Sequence, residues 1–151
     1  EADGKYVNPY VKLTLLAAQD GNWEDLADLS ARVIRLDPVD YPHMYFLNSV
    51  ANYNLKNFEA AEKSATEAQK MDSKHRNPKI DQVLGLIMIE KQDYPAAAQN
   101  LRNYLQYAPT APDAAQVRSQ LAELDKVTGG SASAQEEKPP EKPEAKPEEK
   151  P

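Results

Sequence analysis

Residues 79–109 read KIDQVLGLIMIEKQDYPAAAQNLRNYLQYAP, and this stretch decides the fold because it occurs twice more, altered, upstream. Residues 43–73 read HMYFLNSVANYNLKNFEAAEKSATEAQKMDS, and residues 8–38 read NPYVKLTLLAAQDGNWEDLADLSARVIRLDP. Trp23, Phe58 and Tyr94 correspond, at spacings of 35 and 36 residues. Pro38, Ser73 and Pro109 correspond at the same spacings, and Gly21, Asn57 and Asp93 fall in or beside the turn before each aromatic. Self-similarity at such a period marks stacked supersecondary units, none of which can bury its apolar face alone.

Each unit reads as two helices. In the first, Tyr10, Leu13, Leu16 and Ala17 form one apolar stripe, and Leu26, Leu29, Val33 and Leu36 form another. Asp20-Gly21-Asn22 ends the first helix, with Gly21 free to take a positive φ. Asp37-Pro38 ends the second, because the residue before proline avoids the α region. Pro95 follows Tyr94 at a first helical turn, where its missing N–H costs nothing. Pro9, Pro42, Pro78 and Pro112 are expected just before helices. No stretch alternates branched and polar residues as a strand would. After the third unit, Val117, Leu121 and Leu124 line one face of a segment whose other faces carry Arg118, Gln120, Glu123 and Lys126. That pattern fits a capping helix, apolar toward the stack and polar toward water.

At these residues the units resemble tetratricopeptide repeats. The second unit carries Asn57-Phe58, Ala61, Ala65 and Ala68; the third carries Leu84-Gly85, Tyr94, Ala97, Leu101 and Pro109; the first keeps Trp23 and Pro38. Small residues such as Ala61, Gly85 and Ala97 let two helix backbones approach closely. Leu26 stands at the small position of the first unit, so that helix pair is expected to sit farther apart. The resemblance implies an all-α, right-handed α-solenoid of three repeats plus a capping helix. Units are expected at about 9–38, 42–73 and 78–109, with the cap at 113–127, inside a domain spanning 9–127. Residues 1–8 read as a lead-in. Tyr6, Val7 and Tyr10 look made to pack on something upstream. With no initiator Met and no leader pattern, a processed or excised part of a longer bacterial protein is expected, with further repeats or another domain before residue 1.

The resemblance also implies where a partner lies: on the first helix of each pair, lining the concave face. The carried-over positions are Asn8, Val11, Leu15, Ala18 and Gln19, then His43, Phe46, Val50, Tyr53 and Asn54, then Lys79, Gln82, Leu86, Ile89 and Glu90. Chaperone-binding members of the family clamp a C-terminal carboxylate with Lys, Asn and Arg side chains. Here the corresponding places hold Val11, Leu15, Leu47 and Val83, and only Lys79 matches. Apolar residues cannot compensate a buried carboxylate, so no chaperone carboxylate clamp is expected. What remains is an apolar groove of Val11, Leu15, Phe46, Val50, Tyr53, Leu86 and Ile89, edged by Asn54, Lys79 and Gln82, with Phe46 and Tyr53 as anchors.

Composition narrows the function further. No cysteine among 151 residues excludes disulfides, thiolate metal sites and a cysteine nucleophile. There are two histidines, His43 and His75, and no HExxH, GxSxG or phosphate-loop motif. No catalytic residue, metal ligand or cofactor is expected, and the chain reads as a non-enzyme. A formal net charge of −6 argues against nucleic acid as the partner. No apolar run reaches membrane-spanning length. The last 24 residues, 128–151, hold five of the twelve prolines, six acidic and four basic side chains, and no aromatic or branched aliphatic residue. Such a segment cannot offset its ordering entropy by burial and reads as a disordered Glu/Lys/Pro-rich tail. Its composition is that of bacterial extracytoplasmic linkers, which leans the compartment toward the periplasm. Two functions follow: a scaffold holding a protein or peptide segment in an apolar groove, or a structural element packing on its own parent chain or on itself.

Overall fold

The computed structural model describes residues 4–129 of the chain, with side chains from Tyr6 onward. Seven helices follow one another with no strand among the described residues: α1 Gly4–Asp20, α2 Trp23–Leu36, α3 His43–Asn54, α4 Phe58–Met71, α5 Lys79–Glu90, α6 Tyr94–Tyr107 and α7 Ala114–Val127. Each helix packs on its sequence neighbours, and α3 also meets α5. No comparable contact joins α2 to α4 or α4 to α6. In this all-α solenoid the first helices of the second and third units, α3 and α5, therefore lie nearer each other than α4 and α6 do. No helix is long and apolar enough to cross a membrane. Residues 1–3 and the segment 130–151, which holds nearly all of the proline-rich tail, lie outside the described residues.

The three helix-to-helix turns share one design. Gly21, Lys56 and Gln92 all take left-handed backbone, at φ 68°, 63° and 63°. The next residue's N–H then bonds five residues back: Asn22 to Ala17 at 3.0 Å, Asn57 to Asn52 at 2.8 Å, Asp93 to Met88 at 2.9 Å. This closes the orphan carbonyls of the first helix. The same residue begins the second helix, and the Asn22 and Asp93 side chains accept from Asp25 and Ala96 N–H groups. The structural equivalents of Gly21 are thus Lys56 and Gln92, one residue ahead of the alignment by Asn57 and Asp93. Only the first turn gave itself away by a glycine.

Small residues hold the pairs together. A Cβ built on Gly85 would lie 2.6 Å from Leu101 Cδ2 and 2.8 Å from Leu101 Cγ. Ala61, Ala65, Ala97 and Leu101 are all fully buried. Where the third unit sets Gly85 against Leu101, the same register in the first two units holds Thr14 with Ser30 and Ser49 with Ala65, so a larger first-helix residue accompanies a smaller second-helix one. Leu26 is also buried, in a cluster with Ala17 and Ala51.

Two expectations change. α1 begins at Gly4, so Pro9 lies inside it rather than before it, and residues from Gly4 onward belong to the helix rather than to a lead-in. Proline there removes one backbone bond, but Val7, 1% exposed, packs with Val33 and Met44 and holds the extra turn. The stripe of α1 also splits. Tyr10 and Ala17 face inward with Val7 and Thr14, whereas Leu13 and Leu16 are half-exposed on the outer side.

Candidate partner-binding groove

Prolines position the start of the inner helices: Pro42 and Pro78 are the residues before α3 and α5, with φ near −59° and −58°. From there, helical spacing turns Phe46, Val50 and Tyr53 of α3 to one side, and Leu86 and Ile89 of α5 beside them. None of these is fully buried. Phe46 and Tyr53 rest against the cluster of Ala61, Ala65, Ala68, Ile80, Leu84 and Ile87, and Ile89 against that of Leu101 and Tyr104. On α1, Val11 leans on Val7 and Met44 while Leu15 is half-exposed. The side chains between them in sequence, Met44, Ser49, Ala51, Leu84, Gly85 and Ile87, are buried. On α3 and α5, partly covered apolar side chains thus alternate with fully buried ones.

Tyr53 on α3 lies within electrostatic range of Glu90 on α5. Burial, and then the Glu90 carboxylate, push the Tyr53 phenol above its usual range. The Tyr53 ring also tilts against Phe58 at 5.9 Å, and Lys56 Nζ sits 5.8 Å from its centroid. Asn54 donates to the Val50 carbonyl at 2.8 Å, so its amide nitrogen is already engaged.

The polar edge is occupied by the chain itself. Lys79 Nζ lies 2.7 Å from Asp113 Oδ2, and Gln82 Nε2 donates to the same oxygen at 2.9 Å. The Tyr104 hydroxyl donates to Asp113 Oδ1. Lys79, then Tyr104 and Gln82, hold the Asp113 carboxyl well below the usual range, and the bond to Asp113 raises Lys79. Lys79 and Gln82 thus tie the start of α7 to α5.

The histidines are apart in role. His43 is exposed at the start of α3, edge-on to Tyr41. His75, at φ 48°, stacks on Tyr107 at 4.1 Å, with Nδ1 3.5 Å from buried Asp81. Among the described residues no three His, Cys, Asp or Glu side chains gather where they could hold a metal. A buried polar chain runs through α2, α3 and α4 instead. Asn48 donates to Ser30 at 3.0 Å and to the Ala27 carbonyl at 3.0 Å, and accepts from Ser64 at 2.7 Å and Asn52 at 3.0 Å. Every partner is satisfied, so this network fixes register without cost.

No family model matches the sequence, and no curated protein matches it either. Solved structures do. The type III secretion translocator chaperone SycD of Yersinia enterocolitica is 16% identical with TM-score 0.73, over 85% of this chain and 90% of that one. The tetratricopeptide repeat domain of Arabidopsis OM64 is 22% identical with TM-score 0.71, over 79% and 96%. PcrH, in complex with the chaperone binding region of PopD, is 18% identical with TM-score 0.67, over 84% and 94%. These likenesses, with the helix pairs above, show that the chain has the all-α fold of tetratricopeptide repeat domains.

Proposed function

We propose that the protein is a non-catalytic scaffold that holds a segment of a partner protein along the inner face of its helix stack. One observation supports this: α3 and α5 are in contact, and Phe46, Val50 and Tyr53 on the one and Leu86 and Ile89 on the other are all only partly covered. A continuous apolar face on a protein surface marks an interaction site. An amphipathic helix or extended segment laid along it would bury alternate apolar side chains against these anchors. The PcrH structure to which the chain is similar contains the chaperone binding region of another protein, which supports a peptide-like occupant here. Lys79 and Gln82, at the edge of this face, lock α5 to the cap through Asp113.

The test is a titration followed on the methyl and ring resonances of Leu15, Val50, Tyr53 and Leu86. A partner segment should shift these and leave α2, α4 and α6 resonances in place. Leu86→Glu and Leu15→Glu should weaken binding at least tenfold while the melting transition stays cooperative. Shifts confined to the outer helices would sink the reading. A second reading is favoured by the outer face of α1, where Tyr6, Leu13 and Leu16 are open: packing on the parent chain or on a second copy. Light scattering at two concentrations separates the two, since self-association grows with concentration and peptide capture does not require it.

A further inference from the structure

A cavity of about 280 Å³ opens where α3 and α5 begin and α4 ends. Phe46, Ala68, Met71 and Ile80 give it an apolar lining, and His43 and Arg76 stand in its wall. Sites that take whole small molecules run about 300–1,000 Å³, so this one suits a single large side chain. It continues the proposed groove, because Phe46 belongs to both. Met71 is 42% exposed although Ala68, one turn before it, is buried, which leaves an apolar wall open to cover.

The charge around the cavity is opposite to that of the chain. Residues 70–79 read KMDSKHRNPK, with four Lys or Arg against one Asp, in a protein of net charge −6. The one acid, Asp72, also lines the cavity and keeps its charge, but both its oxygens are engaged by the loop's own backbone. Asp72 accepts from the backbone N–H of Arg76 at 2.9 Å and of Asn77 at 2.7 Å, which shapes the loop that carries Arg76 to the cavity. Lys70 is paired with Glu67 and Lys79 with Asp113. Lys74 and Arg76 have no acidic partner among the described residues.

We infer that this cavity anchors one bulky apolar side chain, Leu, Met or Phe, of an acidic partner segment whose flanking carboxylates pair with Arg76 and Lys74. The inference rests on the partner-groove reading and gives that partner its chemistry. An Arg guanidinium at the mouth suits bidentate carboxylate pairing, while the apolar floor supplies affinity in proportion to area buried. The chain's own residues 136–151 supply carboxylates but no aliphatic or aromatic anchor, so they do not fit the cavity.

The probes are seven-residue peptides, Gly-Glu-Glu-X-Glu-Glu-Gly with X as Phe, Leu or Ala, and the Lys counterpart of the Phe peptide. They are titrated into the full chain and read on Met71 and Ile80 methyl and Phe46 ring resonances. The Phe and Leu peptides should shift these signals, and the Ala peptide should bind at least tenfold more weakly. The Lys peptide should bind at least tenfold more weakly than its Glu counterpart. Arg76→Glu, at an exposed position, should abolish the preference for Glu with the melting temperature unchanged, and Arg76→Lys should restore part of it. Equal binding of Phe and Ala peptides, or of Glu and Lys peptides, would overturn the inference. Shifts at Val50, Tyr53 and Leu86 without Met71 and Ile80 would overturn it while leaving the groove reading standing. Shifts at Met71 and Ile80 alone would support the anchor and count against the longer groove.

Discussion

The two ends of the helix stack are finished differently. At the C-terminal end α7 turns Ala114, Val117 and Leu124 onto Leu101 and Tyr104, and shows water Gln116, Arg118, Ser119, Glu123 and Lys126. It is also clamped by polar bonds: Asp113 to Lys79, Gln82 and Tyr104, Asp125 to Arg102, and Arg118 to the Pro109 carbonyl at 2.7 Å. At the N-terminal end α1 buries Val7, Thr14 and Ala17, yet shows water Tyr6 at 72%, Leu13 at 49% and Leu16 at 52%. Among the described residues its side-chain ties are fewer: Tyr41 donates to Asn8 at 3.2 Å, and Arg32 lies 4.4 Å over the Tyr10 ring. A solenoid needs a polar outer surface where it stops. By that measure α7, Val127 at 67% apart, has the polar outer surface of a cap, whereas α1 turns apolar side chains outward.

The sharpest way to break this contrast is to remove the cap. A chain ending at residue 112 loses the burial of Val117, Leu121 and Leu124 and opens Leu101 and Tyr104 to water. At about 1.5–3 kcal/mol per large side chain, the loss exceeds about 5 kcal/mol, comparable with the whole stability of a small domain. The truncated chain is expected to lose its cooperative thermal transition by circular dichroism. Next in size is Gly85→Ala. Alanine favours the helix by about 1 kcal/mol, but its Cβ would meet fully buried Leu101, which cannot swing into solvent. Overpacking costs about 1–3 kcal/mol, so a net loss of up to about 2 kcal/mol is expected in denaturant unfolding. Pairing it with Leu101→Ala should cost less than the sum of the two, because the second change removes the clash.

Asp113→Asn tests the polar clamp. Charge-assisted bonds are worth about 1.5–3 kcal/mol, reduced here because Lys79 is 51% exposed, so about 1–2 kcal/mol is expected at pH 7. The carboxyl is depressed in the folded state, chiefly by Lys79. Its contribution is therefore full above the unfolded value of about 4 and is lost as pH falls through the folded value. Wild type and variant should differ most at neutral pH and converge below about pH 4 in denaturation midpoints. A constant gap down to pH 2 would mean the lost interactions are not those of the ionised carboxylate.

The same contrast explains which features were legible in the sequence. The repeat was, because Trp23, Phe58 and Tyr94 fall in phase and Ala61, Gly85 and Ala97 are small where helices must touch. The inner face of α1 was not. Val11, Leu13, Leu15, Leu16, Ala17 and Ala18 are apolar nearly all round, so periodicity alone cannot say which stripe turns inward, and Leu13 and Leu16 turn out. Pro9 looked like a helix boundary because local propensity disfavours it in a helix interior, whereas packing of Val7 decided the matter. The Asn48 network was hidden because buried Asn48 and Asn52 look like surface polarity until their partners on α2 and α4 are known. The anchor cavity was equally hidden. It is made by three helix ends that meet only in the folded stack, although the basic run at 70–79 stood in plain view.

The smallest effect concerns the open end. If Leu13 and Leu16 face water in the free protein, replacing both by Glu removes only the covered half of each side chain and adds charge to a helix with few charges of its own. The loss should stay near about 1 kcal/mol in total, and Leu124→Glu on the closed end should cost several times more because Leu124 is 6% exposed. The comparison is made at two protein concentrations. A double variant that loses more than about 1 kcal/mol only at the higher concentration would show that a second copy covers α1. The open end would then be an interface, and the two ends would be alike in being covered, one by its own cap and one by a neighbour.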